Sequence, residues 1–339
     1  MKILKFFFYW IIVIFFGWVL YTNAGDYSKI AQTIQSADYV FLGWAIVFSI
    51  GNISIMSAIF KANFSIFENE VELGLLFPEV ISYSFMMVSN PLGTTGAIAY
   101  LVKRLMSKGH SYLKSFFSFL STQLSINLVF LPILAVTMLY LKERQILNSY
   151  EIIASSLLVV LNLTIIFGIS TVLVLPKFSL SIAKLLSSIA NKITNSVFKK
   201  SFINEKKVDL SIQEIQKTSG RFDKSIGKFF KTFIFSAIYH FINITVLYFC
   251  FSAFGTAPSF EILISIYSIT VLFTIVSPTP QGIGIVEGLA QIGAISLGVS
   301  SELSIIAILT YRLVSIWIPA FLGFLVFRSS KKQNKALSN

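Results

Sequence analysis

Glu287 and Arg312 lie inside apolar runs of a chain in which only 12% of residues are charged. Charge at membrane depth is costly, and where it persists it marks a substrate path or a structural pair. A carboxylate and a guanidinium in one low-dielectric region tend to pair. The expectation is therefore a buried Glu287–Arg312 ion pair, with either a structural role or a direct hold on substrate. Tyr311 stands beside Arg312. Arg104, with Lys103, ends the apolar stretch after residue 93. It either snorkels to the interface or binds a lipid phosphate.

Two Pro/Gly segments interrupt the apolar runs: SNPLGTTG at 89–96 and SPTPQGIG at 277–284. Broken helices survive in a bilayer only where protein or a water-filled cavity covers them. Paired breaks in corresponding halves point to a substrate site near the midplane. Pro91 and Pro280 make the interruptions. Gly93, Gly96, Gly282 and Gly284 would then present backbone N–H groups where half-helices begin, a setting that attracts anions such as a lipid phosphate. Close helix packing through small residues is the other reading of these glycines. Ser236, His240 and Asn243 share one face of the 229–254 run. His240 and Asn243 form either a polar relay for protons or cross-helix hydrogen bonds. Asn52, Gln123, Asn127 and Asn162 read as polar glue between helices.

Composition places these residues in a membrane. The chain of 339 residues is 55% hydrophobic, with mean hydropathy +0.79, a balance foreign to soluble domains. Cys250, the single cysteine, reads as a small buried apolar side chain. The sequence shows no metal-ligand cluster, paired carboxylate site, nucleophile elbow or nucleotide-binding loop, so neither cofactor nor metal is expected.

Apolar runs of spanning length, about 20 residues, occur at 4–21, 39–60, 116–141, 151–175, 229–254 and 303–327. Lys2 and Lys5 ahead of the first run resemble a signal peptide, yet the run reads as a retained span. Two longer regions, 73–105 and 260–298, are divided by the breaks. Each reads as a helical hairpin or as two short crossings. The fold expected is all-α: a polytopic helix bundle of about 8 spans with two broken hairpins of opposite orientation, forming an inverted repeat. One integral membrane domain would cover 1–339. It divides into an N-terminal half (1–175), a basic connector (176–228), a C-terminal half (229–327) and a basic tail (328–339).

Positive charge sets orientation. Residues 176–231 hold 12 of the 27 Lys and Arg residues. Lys103, Arg104, Lys108 and Lys114 form a second cluster, and Arg328, Lys331, Lys332 and Lys335 a third. Placing all three inside, with both termini, gives a consistent path through a bacterial cytoplasmic membrane. Apolar residues of 182–197 recur at helical spacing, which suits an interfacial amphipathic helix on anionic lipid or a helix packed on the inner face of the bundle.

The stretch PQGIGIVE at 280–287, followed by Gly298-Val299, Tyr311-Arg312 and Pro319, resembles the C-terminal signature of the lysylphosphatidylglycerol synthase transmembrane region. Asn90-Pro91-Leu92-Gly93, Arg104 and Gly109 fit its N-terminal half. The resemblance covers nearly the whole chain. Gln123 departs from it, since such proteins often carry an acid there. The resemblance implies a flippase-like protein. In its bifunctional relatives the membrane part flips aminoacylated phosphatidylglycerol, and a separate cytosolic domain makes that lipid from lysyl-tRNA. Twelve residues follow Phe327, and a connector of about 55 residues is small for a transferase fold.

The leading expectation is a lipid translocase for anionic or aminoacylated phospholipid, with phosphatidylglycerol or lysyl-phosphatidylglycerol as partner. Its site residues would be Pro91, Gly93, Gly96, Arg104, Pro280, Gly282, Gly284, Glu287, Tyr311 and Arg312. The alternatives are a lysyltransferase acting on phosphatidylglycerol, which alone would involve a nucleic acid, and an accessory subunit of an envelope synthesis complex. A separate synthase, or a second copy of the chain, would be the protein partner.

Overall fold

Hydrocarbon leaves each backbone polar group to be satisfied within the protein, and for apolar runs of this length the helix is the solution. The computed structural model describes residues 35–67, 72–90, 93–144, 149–174, 226–255 and 257–336. Among them there are helices and no strands. The expected span at 4–21, the amphipathic stretch at 182–197, most of the connector and Pro91 lie outside the described residues.

The helices are α1 (Tyr39–Phe67), α2 (Leu73–Ser89), α3 (Gly93–Ser107), α4 (Tyr112–Glu143) and α5 (Ser149–Val174). After the connector come α6 (Ile226–Ser252), α7 (Phe260–Val276), α8 (Ile285–Ser296) and α9 (Ser301–Arg312). A π-helical segment, Leu313–Trp317, then joins α9 to α10 (Ile318–Ala336). The last helix therefore runs on through part of the basic tail instead of stopping at 327. Helices α1, α4, α6 and the α9–α10 unit are long and apolar enough to cross a membrane. Phe167, Leu139, Phe230 and Phe241 turn outward and are exposed, as lipid-facing side chains must be. The protein is a multi-pass membrane protein.

Helices α1 and α6 pack along one another in opposite directions. The Asp38 N–H at the start of α1 donates to the Ala253 carbonyl just past α6, at 2.8 Å. At the other end Lys228 Nζ donates to the Ser65 carbonyl at 3.0 Å. The hairpin α2–α3 follows the end of α1 and the hairpin α7–α8 follows the end of α6, so the two enter from opposite faces. Their helices have 17, 15, 17 and 12 residues. At about 1.5 Å per residue they rise roughly 18–26 Å, short of the ~30 Å hydrocarbon core. All four are shorter than the long helices α1, α4 and α6.

Contacts repeat under the same correspondence. Helix α2 packs on α10, and α7 packs on α4. Helix α3 packs on α4, and α8 packs on α9. The arrangement is an inverted one, with α1–α4 matching α6–α10. Close fit holds it together, because lipid removes most of the hydrophobic drive between helices. On α10, a Cβ at Gly323 would stand 2.3 Å from the Ile81 carbonyl oxygen of α2. Phe60, Phe64, Leu101 and Phe119 fill the core around the first hairpin. Leu247, Tyr267, Ala290, Ala307 and Tyr311 fill that around the second.

Candidate functional site

Pro278 and Pro280 lack the N–H groups a continuing helix needs, and α7 stops at Val276. The chain turns through a short 3-10 segment at Pro280–Gly282. Gln281, with φ 55°, is the one positive-φ residue other than glycine among the described residues, and it is followed by Gly282 at 70° and Gly284 at 89°. A non-glycine residue held there costs about 1–3 kcal/mol. The turn brings the Gln281 carbonyl to Arg312, whose Nη2 donates to it. The tip satisfies its own polar groups: the Thr279 hydroxyl donates to the Ile283 carbonyl at 3.0 Å and accepts from the Ser277 hydroxyl at 2.9 Å.

Glu287 is the third residue of α8. One oxygen, Oε2, accepts from the Gly284 N–H at 2.7 Å, and the other, Oε1, accepts from Arg312 Nε at 2.8 Å. Both side chains are buried, with 10% and 4% exposed. The expectation that glycine N–H groups stand open to an anion is corrected here for Gly93, Gly282 and Gly284. The Gly284 N–H is taken by Glu287, that of Gly93 by the Asn90 carbonyl at 2.8 Å, and that of Gly282 by the Thr279 carbonyl at 3.0 Å. Hydrocarbon offers a backbone donor no partner, so the chain supplies its own.

Space explains the other glycines. A Cβ on Gly282 would meet Val286 Cγ2 at 2.1 Å, and one on Gly96 would meet the Asn90 side chain at 2.2 Å. Gly93, at φ +51°, is where the hairpins touch: its Cβ would sit 3.5 Å from the Pro280 Cα. The two hairpin tips therefore meet inside the protein.

Arg312 owes its position to the π segment behind it. With the Ile318 N–H drawn to Leu313 and no N–H on Pro319, the Val314 carbonyl has no donor along the helix. The Ile318 N–H bonds back to Leu313, and the Ser49 hydroxyl of α1 donates to the Val314 carbonyl at 2.7 Å. Such wide turns recur at functional sites.

A cavity of about 560 Å³ lies where the tips meet. Both hairpins line it, through Tyr83, Thr94 and Thr95 on one side and Tyr267, Thr270 and Gln281 on the other. Helix α4 adds Gln123 and Asn127, α6 adds Tyr239, His240 and Asn243, and α9 adds Tyr311 and Arg312. Arg312 is the charged residue of this lining, and Glu287 stands behind it. His240 Nε2 lies 3.0 Å from the Ile126 carbonyl, and Nδ1 lies 2.6 Å from the Tyr267 hydroxyl. A carbonyl only accepts, so Nε2 carries the proton and Nδ1 of the neutral ring accepts from Tyr267. His240 thus bonds across three helices. Asn243 Nδ2 donates within its own helix, to the Tyr239 carbonyl at 2.9 Å.

Arg104 is not brought to the cavity. Its Nε and Nη2 each lie 3.0 Å from a Glu79 oxygen, and Lys108 Nζ joins at 2.9 Å. Glu79 is 2% exposed and was missed by the sequence reading, although it is the lone carboxylate of the apolar run Leu73–Ser89. The intramembrane amides are not uniform glue. Asn127 bonds within α4, whereas Asn162 and the Asn52 Oδ1 have no partner.

A family model described as "Lysylphosphatidylglycerol synthase TM region" matches residues 3–323. The chain is 27% identical over 236 residues to the UPF0104 membrane protein PH1989 of Pyrococcus horikoshii, an alignment that covers 68% of each protein.

Proposed function

The chain belongs to the lysylphosphatidylglycerol synthase transmembrane-region family, and we propose that it is a membrane translocase for anionic or aminoacylated phospholipid. The observation that carries this reading is the cavity of about 560 Å³ between the tips of two oppositely inserted hairpins, with Arg312 in its lining. Moving a headgroup across hydrocarbon needs a polar route, because an unpaired charge buried there is prohibitive. The cavity supplies hydroxyls, amides and one guanidinium at that depth. Arg312 holds the lipid phosphate. Glu287 is a positioning residue: both its oxygens are engaged, and it fixes the plane of the guanidinium. Tyr311 and His240 shape the wall. Rocking of one hairpin against the other half of the inverted fold exposes the cavity to each leaflet in turn.

Orientation follows from charge. Lys103, Lys108 and Lys114 lie at the same end of the bundle as Lys228, Lys231 and Arg328. By the positive-inside rule that end faces the cytoplasm of a bacterial cell.

Leaflet exchange of fluorescent phospholipids in proteoliposomes tests the proposal. Exchange should depend on headgroup and be lost in Arg312→Ala. It should fall in Glu287→Gln without loss of folded protein. Exchange that is absent for every headgroup would sink the translocase reading.

A further inference from the structure

Helices α9 and α10 are fastened to different parts of the protein. Arg312 ties α9 to α8 through Glu287 and to the second tip through the Gln281 carbonyl. Helix α10 is fastened to α2 instead. Gly323 lets the Ile81 carbonyl come close, and the Phe85 ring stands 5.4 Å from that of Phe324 and 5.6 Å from that of Phe327. The join between the two is the π-helical segment Leu313–Trp317, and helices bend at such wide turns.

The segment has two ways to satisfy its carbonyls. As it stands, the Ile318 N–H donates to the Leu313 carbonyl, and the Ser49 hydroxyl of α1 supplies Val314 at 2.7 Å. In an α turn the Ile318 N–H would go to Val314 and the Trp317 N–H to Leu313, which releases Ser49. Both carbonyls are paired in either form, as hydrocarbon requires. There is also room for the change. A chamber of about 120 Å³ flanks the segment, lined by Ser49, Asn52, Tyr83, Ser315, Ile316 and Pro319. Close-packed interiors resist rearrangement, and here the packing leaves a gap. A wide turn holds one residue more than an α turn, a slack of up to about 100° of twist and 1.5 Å of rise.

We propose that Leu313–Trp317 is a hinge with Ser49 as its latch, about which the second hairpin and α9 swing against α1, α2 and α10. Glu287, Arg312 and the Gln281 carbonyl travel together on the moving side, so no charge is stranded by the motion. Ser49 is a positioning residue that holds the wide-turn form. This rests on the translocase reading for its purpose and deepens it, by naming the place where the rocking occurs.

Distances between spin labels on the full chain in phosphatidylglycerol nanodiscs test the hinge, with Cys250→Ala removing the native thiol. One pair reads across it: Tyr39→Cys on α1 with Ser296→Cys on α8. A second pair, Phe260→Cys with Ser296→Cys, stays within the second hairpin. All three positions are exposed. The first pair should show two distance populations and the second pair one. Ser49→Ala should shift the ratio of the two populations by roughly threefold toward the α-turn form, the scale of one hydrogen bond between membrane helices. Deleting Trp317 turns the Ile318–Leu313 bond into an ordinary α-helical one with Arg312 in place. It should collapse the first pair to one distance and cut leaflet exchange at least tenfold. A single population for the first pair in the wild type overturns the hinge, as does a ratio that Ser49→Ala leaves unmoved. Those two results decide the matter even if the deletion variant does not fold. Two populations that respond to Ser49→Ala without any leaflet exchange leave the hinge standing and remove the translocase reading. Wild-type exchange in a folded deletion variant does the reverse.

Discussion

The two halves each bury a carboxylate against an arginine 25 residues further along, and they use the pair differently. In the first half Glu79 meets Arg104 and Lys108, whose side chains keep 19% and 28% of their surface exposed. That pair joins α2 to α3 and closes one hairpin on itself. In the second half Glu287 and Arg312 are nearly sealed, at 10% and 4%. That pair joins α8 to α9, and the guanidinium also holds the Gln281 carbonyl of the tip. The first is a clasp within an element, near the membrane edge. The second ties an element to its neighbour and leaves a cation in the wall of a cavity. Depth decides what each is worth: a partly exposed pair is hydrated and screened, whereas breaking a sealed one strands a charge.

The sharpest break of this comparison is Arg312→Ala. It should cut leaflet exchange by about a hundredfold or more and destabilise the protein by about 3–5 kcal/mol, because Glu287 is left unpaired. Exchange kinetics and unfolding in detergent read the two effects separately. The double variant Glu287→Gln with Arg312→Gln should recover much of the stability and none of the exchange, which a double-mutant cycle would register. A recovery of exchange would mean that the guanidinium does not hold phosphate.

Gly282→Ala comes next, at about 2–3 kcal/mol from its left-handed backbone together with the Val286 contact. A thermal midpoint equal to wild type would show that the tip is looser than described. Glu79→Gln should cost less, about 1 kcal/mol, since Arg104 and Lys108 can reach water. Its effect should shrink as salt rises, while that of Glu287→Gln should not. Equal salt sensitivity would erase the distinction between the pairs. Ser49→Ala is the smallest, at roughly 0.6 kcal/mol for a hydrogen bond between membrane helices. Its signature is faster amide exchange around Val314.

Hydropathy made the long helices and both interruptions legible, because bilayer thickness leaves few ways to arrange apolar runs. Glu287 and Arg312 were legible as isolated charges in such runs. Glu79 was passed over although it is the lone carboxylate of its apolar run, because Glu68, Glu70 and Glu72 stand close before it in sequence. Only the burial of α2 between α3 and α10 separates it from them. The fate of the glycine N–H groups was equally hidden. It depends on Gln281 adopting a left-handed backbone and on Glu287 folding back onto Gly284, neither of which leaves a mark on residue type. Helix α10 outran its expected end because its basic residues continue the helical backbone past the apolar stretch. Asn52 and Tyr83 look like ordinary bundle residues until the space beside them is seen.

The contact between Gly93 and Pro280 also has a consequence for how the protein is made. A ribosome delivers the first hairpin long before the second, at about 5–20 residues per second. For that interval the first tip has no opposite tip to cover its interrupted backbone. The N-terminal half should therefore need a holding factor in the membrane and be cleared when made alone. Supplying the C-terminal half as a separate chain should rescue it.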